Sequence, residues 1–306
     1  MFTILGAGGV IANELAKELS NKRKKIRLVS RTPNKLPGAF EVIPADLSDA
    51  HQTINAVSGS EVVFLVAGLK YNLKVWRELW PRIMQNTIEA CKSANARLIF
   101  LDNVYMYGKV NGPMTEQTPF HPSSKKGEIR AEIATMLLNE IKQGNLRACI
   151  ARSADFYGPH AKTSVANILV FDKFAKQAKA SWLINDSVRH SFTFTPDAGK
   201  SLMLLAESDK AWNQTWHIPT ASDAPTGKQF IEMAAKEFGV EPKYLILSRP
   251  MMKLAGFFNS DLRDLYEMLY QYQSDYIFDS TKFESAFAYK PATYAYGIHE
   301  TAVSYK

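Results

Sequence analysis

The chain has little of the residues and patterns that define several protein classes. It has only two cysteines, Cys91 and Cys149, and both lie in apolar patterned segments. We expect two buried free thiols, which exclude a disulfide scaffold and a cysteine-rich metal site, and we expect no metal. No apolar run reaches the length of a membrane span, and no basic segment precedes an apolar stretch at the N-terminus. These absences predict a cytoplasmic protein with no membrane partner.

The chain also has no excess of acidic over basic residues. Lys and Arg number 37 against 30 Asp and Glu, and the formal net charge is +7. The densest basic run, residues 22–25, lies between a predicted helix and a predicted strand, where a solvated loop is the simplest interpretation. Nucleic-acid binding requires basic residues spread over a face with aromatics between them. We therefore expect no nucleic-acid partner, and an anionic cofactor or substrate explains the charge as well.

What the sequence does contain is a glycine-rich turn near its start. A short apolar run ends at Gly6, and the glycines open a helical pattern. Gly6 suits a tight turn, Gly8 or Gly9 lets a backbone approach a diphosphate, and Ala12 lets the helix press against the strand. The free N–H groups and positive dipole end of that helix suit an anion. The expected contacts of a dinucleotide in this turn are Gly6, Gly8, Gly9, Val10 and Ile11.

Strand and helix patterns alternate along the first half of the chain. The pattern predicts an α/β fold, a Rossmann doubly wound parallel sheet with a smaller C-terminal substrate lobe. We predict an NAD(P)-binding domain at residues 1–157. Residues 158–306 are predicted to form mainly the substrate-binding lobe, with a segment of about 188–218 returning to the first domain. Pro81 is predicted to kink or divide a helix that runs from about Leu73 to Ser93.

The residues that follow the second predicted strand indicate which dinucleotide binds. An acidic residue there hydrogen-bonds a ribose 2′-hydroxyl, whereas an Arg accommodates a 2′-phosphate. Ser30 and Arg31 stand there, with no carboxylate nearby. This favours NADP over NAD, and the alternative is a surface Arg in a turn.

Several motifs in order resemble the extended short-chain dehydrogenase/reductase family, in its NAD-dependent epimerase/dehydratase-like branch. Gly6, Gly9 and Ala12 match its glycine-rich turn, and Leu101–Gly108 is similar to its fifth-strand segment. Arg189–Asp197 and Asp279–Phe283 are similar to later motifs. The resemblance implies that further cofactor contacts are Asp46, Leu47, Ala67 and Gly68.

The resemblance breaks down at the catalytic positions. Asn103 stands where the family has a serine or threonine. Counting back from Glu132 places Ser124 and Glu128 at the tyrosine and lysine of its Tyr-x-x-x-Lys motif. A serine cannot replace the tyrosine without a base, and a glutamate has the wrong charge to assist one.

Residues near the missing motif are candidate replacements. Lys125 and Lys126 lie at a predicted helix start, where solvated lysines are the alternative interpretation, and Asp102 can act as a base or as a loop residue. The candidate catalytic residues are Asn103, Tyr105, Tyr107 and Lys126.

Two functions follow from this pattern. The first is an NAD(P)-binding oxidoreductase or epimerase-like enzyme that acts on a carbonyl or alcohol of a small, sugar-like molecule. The second is a non-catalytic NADP(H)-binding redox sensor or regulatory protein. A homodimer is open in either case.

Overall fold

The structure is a computed structural model, and it describes residues 1–36 and 38–306. The described residues form two compact units. The first contains residues 1–106, 126–152 and 198–216, and the second contains residues 107–125, 153–197 and 217–306. The cofactor role predicted for residues 1–157 and the substrate role predicted for 158–306 stay predictions.

The strands, in chain order, are β1 (Phe2–Leu5), β2 (Ile26–Ser30), β3 (Ala39–Pro44), β4 (Val62–Leu65), β5 (Arg97–Asp102), β6 (Ala148–Arg152), β7 (Asp155–Tyr157), β8 (Ala180–Leu183), β9 (Phe192–Phe194), β10 (Thr215–His217) and β11 (Tyr244–Leu247). The helices are α1 (Val10–Asn21), α2 (Ala50–Val57), α3 (Leu73–Ala94), α4 (Lys125–Lys142), α5 (Asp172–Ala175), α6 (Thr195–Glu207), α7 (Gly227–Phe238), α8 (Arg249–Phe258), α9 (Ser260–Tyr266), α10 (Thr281–Phe287) and α11 (Tyr294–Val303).

A seven-stranded sheet forms the centre of the first unit. Its order is β10-β6-β5-β4-β1-β2-β3, and the pairings among β1 to β6 are parallel. β1 and β4 are buried along their whole length. Such continuous apolar strands are typical of a parallel sheet that is covered on both faces by helices. The predicted Rossmann fold class is therefore confirmed.

Of the two outcomes predicted at Pro81, division of the helix is wrong, because α3 is a single helix that contains Pro81; a kink stays a prediction. Asn72 caps its N-terminus by accepting a hydrogen bond from the Val75 N–H at 3.1 Å. Trp76, Trp80, Ile83 and Met84 are buried on both sides of the proline. Packing of this continuous apolar face offsets the loss of one backbone hydrogen bond.

The second unit is built around an aromatic core. Tyr157 lies 5.8 Å from Tyr294 and 5.7 Å from Phe230, measured between ring centroids. Burial raises the pKa of both tyrosines above their usual value. The short parallel pairs β7–β9 and β8–β11 belong to this unit. Across the part of the chain that the structure describes, no helix is both long and apolar enough to cross a membrane.

Candidate functional site

The glycine-rich turn is fixed to the two strands that flank β1. Gly6 N–H and Ala7 N–H both donate to the Val29 carbonyl of β2, at 2.9 and 3.0 Å. On the other side the turn touches the chain that leaves β4: a Cβ placed on Gly6 would lie 2.3 Å from Ala67 Cα. Gly6 also has a φ of +103°. Both observations exclude any side chain at Gly6.

The next two glycines leave space at the start of α1. A Cβ on Gly8 would meet nothing within 4 Å, and one on Gly9 would meet only the Gly6 carbonyl oxygen, at 3.8 Å. Gly9 is the N-cap of α1, and no side chain caps the helix. The first N–H groups of α1, those of Val10 and Ile11 among them, therefore have no intrahelical acceptor. An uncapped helix start next to open space fits the diphosphate of a dinucleotide.

Arg31 and Asp46, the contacts predicted for the adenosine end of the cofactor, lie close together at the ends of β2 and β3. Arg31 and Asp46 are both exposed. The Ser48 N–H and hydroxyl donate to the Asp46 carboxylate at 2.9 and 2.8 Å, which lowers the pKa of Asp46. The Arg31 guanidinium lowers the pKa further. Leu47 is buried, and its carbonyl accepts from Asn86 Nδ2 of α3 at 3.0 Å.

A second group of candidate residues lies where β5 ends. Asp102 Oδ1 accepts from the Asn103 N–H at 2.8 Å, and Asn103 Oδ1 accepts from the Tyr105 N–H at 3.0 Å. The Tyr105 ring stacks on Trp76 of α3, with centroids 6.3 Å apart and planes at 13°. The structure therefore brings Asn103 and Tyr105 together and leaves both side chains half-buried.

The start of α4 presents Lys126 to the interior of the first unit. Lys126 is fully buried, and its Nζ lies 4.7 Å from the centroid of the Tyr71 ring. Tyr71 in turn contacts the edge of Trp76, at 5.5 Å between centroids. Lys125, by contrast, has an exposed side chain. The two lysines that the sequence left as alternatives are thus distinguished by burial.

Tyr107 belongs to the second unit. Its side chain is 1% exposed, and its hydroxyl lies 2.9 Å from His217 Nε2. His217 stacks on Phe278 at 4.1 Å, and its Nδ1 lies 2.8 Å from the Asp279 carbonyl oxygen. A catalytic role for Tyr107 stays a prediction, and its hydroxyl is already engaged.

Comparison with known proteins decides the family. The model of the NAD-dependent epimerase/dehydratase family matches residues 2–218. The chain belongs to this family. It is 23% identical over 297 residues to 3beta-hydroxysteroid-dehydrogenase/decarboxylase isoform 2 of Arabidopsis thaliana, covering 83% of this chain and 50% of the plant protein. The chain thus spans about half the length of the curated relative it matches.

Solved structures of sugar-nucleotide enzymes share the fold. The UDP-glucose 4-epimerase of Thermus thermophilus, solved in complex with NAD, has a TM-score of 0.79 at 16% identity, covering 100% of this chain and 99% of that one. A dTDP-glucose 4,6-dehydratase double mutant from Streptomyces venezuelae, solved with NAD bound, has a TM-score of 0.82 at 15% identity, covering 100% and 96%. At these identities the likeness is one of fold.

This epimerase/dehydratase family member carries two buried cations at the start of α4, one of which the sequence reasoning missed. Arg130 lies one turn after Lys126 and donates through Nε to Asp102 Oδ1 at 2.7 Å. Ser124 precedes the helix, and Glu128 is exposed. A signal was present in the sequence: Lys126 and Arg130 are four residues apart, in phase with the apolar residues Ile129 and Ile133.

The described residues contain no cluster of three or more His, Cys, Asp or Glu side chains that could hold a metal ion. Cys91 and Cys149 are free and buried, as predicted, and burial raises the pKa of both thiols.

Proposed function

We propose that the chain is an NAD(P)-dependent oxidoreductase or epimerase-like enzyme that acts on a carbonyl or alcohol group of a small molecule. The observation that carries the proposal is the glycine-rich turn. A Cβ at Gly6 would overlap Ala67, whereas a Cβ at Gly8 or Gly9 would lie in open space at the uncapped start of α1. The cofactor, when bound, supplies or accepts the hydride.

Four groups of residues are proposed to hold the cofactor. The backbone of Gly8 and Gly9 and the N–H groups of Val10 and Ile11 would face the diphosphate. Asp46 and Leu47 would contact the adenine side, and Ala67 and Gly68, in the chain that leaves β4, would be further contacts. We propose NADP(H) as the cofactor, on the basis of Arg31. The solved relatives named above hold NAD, so NAD is the alternative.

The reacting oxygen is proposed to sit near Asn103, Tyr105 and Lys126. Lys126 carries N–H donors and no acceptor when charged, so it can hydrogen-bond a substrate oxygen. Asn103 Oδ1 is occupied by the Tyr105 N–H, and its Nδ2 has no hydrogen-bond partner among the described residues. The Nδ2 group is therefore a second donor proposed to face the oxygen. Removing a group that assists proton transfer costs roughly 100-fold or more in rate.

Cofactor preference is tested by titrating NADPH and NADH into the parent protein and into Arg31→Ala. A charged hydrogen bond contributes about 1.5–3 kcal/mol, and the exposure of Arg31 places the effect at the low end, about tenfold in Kd. We expect NADPH to bind about tenfold more tightly, and Arg31→Ala to remove the preference. Equal dissociation constants in the parent protein would rule out the NADP assignment.

Catalysis is tested by following NADPH absorbance with a panel of carbonyl substrates that includes keto-sugar nucleotides and 3-ketosteroids. These classes come from the names of the relatives. We expect Lys126→Met and Tyr105→Phe to lose roughly 100-fold in rate. The exposed neighbour supplies a matched control, Lys125→Met, which should keep the parent rate. A parent protein that binds NADPH and turns over no substrate would favour the sensor function.

A further inference from the structure

We infer that Arg130 is a positioning residue that fixes Asn103 and Tyr105 in place, through Asp102 on one side and Trp76 on the other. The inference rests on the proposed function for the roles of Asn103 and Tyr105. The arrangement itself lies wholly within the first unit.

The first connection is a chain of hydrogen bonds. Arg130 Nε donates to Asp102 Oδ1 at 2.7 Å, and Nη2 donates to the same oxygen. Asp102 Oδ1 also accepts from the Asn103 N–H at 2.8 Å. Asn103 Oδ1 then accepts from the Tyr105 N–H at 3.0 Å. Arg130 thus orients the carboxylate that sets the turn leaving β5, and this turn sets both candidate catalytic residues.

The second connection runs through aromatic rings. The Arg130 guanidinium carbon lies 4.5 Å from the ring centroid of Trp80, 5.0 Å from that of Phe100 and 5.9 Å from that of Trp76. Trp76 is the ring on which Tyr105 stacks. Arg130 therefore contacts Trp76, on which the Tyr105 ring stacks. Through Asp102 it also orients Asn103, which accepts from the Tyr105 N–H.

Lys126 is held by the same set of rings. Its Nζ lies over Tyr71, which contacts the edge of Trp76. We call Tyr71, Trp76 and Tyr105 the aromatic wall. Lys126 and Tyr105 lie at opposite ends of this wall, and Arg130 contacts its middle. A shift of Arg130 would thus be transmitted to all three candidate groups.

A buried ion pair is weak support for stability, because desolvation offsets much of its attraction. Arg130 is 3% exposed and Asp102 is 2% exposed, so burying this ion pair carries a large desolvation cost. Arg152 Nε also lies 4.0 Å from Asp102 Oδ2 and keeps a cation beside the carboxylate when Arg130 is changed. Orientation is therefore the better explanation for a planar guanidinium at residue 130, where a lysine has no equivalent fork.

The test uses Arg130→Met and Arg130→Lys, with Arg97→Met as the matched control. Arg97 likewise pairs with a carboxylate, Glu61, at 2.6 Å, and lies over a tryptophan, Trp212, at 4.7 Å. Each protein is labelled with 3-fluorotyrosine, and the Tyr105 resonance is assigned from its loss in Tyr105→Phe. We expect the Tyr105 fluorine resonance to move in both Arg130 variants and to stay in Arg97→Met.

Kinetics supply the second readout. Arg130→Met should lower kcat by about tenfold or more, on the scale of a misplaced catalytic group, with the NADPH Kd unchanged. In an Asn103→Ala background the same change should cost little, because the two residues act in one chain. Arg130→Lys keeps the charge and should recover only part of the rate.

The outcomes separate this inference from the proposed function. A moved Tyr105 resonance in a parent protein without activity supports the positioning role and counts against the enzyme. An unmoved resonance in folded Arg130→Met, or in folded Arg130→Lys if the methionine variant does not fold, overturns the inference. Fully additive rate losses from Arg130→Met and Asn103→Ala also overturn it.

Discussion

Two glycines of the same turn should respond to substitution in opposite ways. Gly6 has a φ of +103°, and its Cβ would lie 2.3 Å from Ala67 Cα and 2.5 Å from Ala67 N. These are backbone atoms next to paired strands, so they cannot move aside cheaply. Strain at such a φ costs roughly 1–3 kcal/mol and overpacking roughly another 1–3 kcal/mol. Gly6→Ala should therefore lower the free energy of unfolding by roughly 2–6 kcal/mol.

Gly9 has an ordinary extended backbone, with φ of −76° and ψ of 156°. The nearest atom to its Cβ would be the Gly6 carbonyl oxygen, at 3.8 Å, which is ordinary contact. Gly9→Val should therefore cost no more than about 1 kcal/mol of stability, from the change at the helix N-cap. Its side chain would occupy the space proposed for the diphosphate. We expect NADPH and NADH to bind about 100-fold more weakly or worse, a change of about 2.7 kcal/mol.

Urea unfolding of each variant measures the first effect, and titration of the cofactor fluorescence measures the second. Gly8→Ala is the matched control, because Gly8 has a φ of +99° but open space around its Cβ. Gly8→Ala should lower the free energy of unfolding by roughly 1–3 kcal/mol, from backbone strain alone. Unchanged affinity in Gly9→Val would refute the cofactor site, and parent-like stability in Gly6→Ala would refute the close approach of the turn to Ala67.

Three further predictions test other parts of the chain. Ser124→Ala and Glu128→Ala should escape the roughly 100-fold rate loss of an acid–base group, because Ser124 precedes α4 and Glu128 is exposed. Progress curves of NADPH oxidation measure this, and a large loss in either variant would contradict it. Thr226→Ala removes the capping box with Gln229 at α7 and should cost about 1 kcal/mol in urea unfolding, with Lys228→Ala as control. Cys91 and Cys149 should react with an aromatic disulfide reagent only in denaturant, since both thiols are buried.

The sequence predicted the elements whose patterns are local. β1 and β4 are continuous apolar runs, and the apolar stripe of α1 repeats at about 3.6 residues, so each of these elements is visible in a short window of sequence. The cap of α2 is equally local, since Asp49 accepts from the Gln52 N–H, three residues later, at 2.9 Å. The division predicted at Pro81 was wrong, because the packing that keeps α3 continuous comes from residues elsewhere in the chain.

The contacts of the candidate site depend on which strands become neighbours. Arg130 reaches Asp102 because β5 lies inside the sheet beside β4 and β6, and sequence separation does not reveal this order. The helical pattern of α3 does not single out Trp76, and only the structure shows Tyr105 stacked on it. The conformation of Gly9 was equally inaccessible, because both a positive and an extended φ suit a glycine.

The proposed reaction places a buried cation beside the reacting oxygen. Lys126 and Arg130 are four residues apart and both point into the first unit, and Arg130 is committed to Asp102. Lys126 is the cation of this pair that we propose to face the substrate oxygen. A charged amine donates hydrogen bonds and accepts none, so it stabilises negative charge that develops on an oxygen. Such charge develops on a carbonyl oxygen when a hydride arrives at its carbon. A charged Lys126 would therefore assist hydride transfer in both directions, because carbonyl reduction and alcohol oxidation pass through the same transition state.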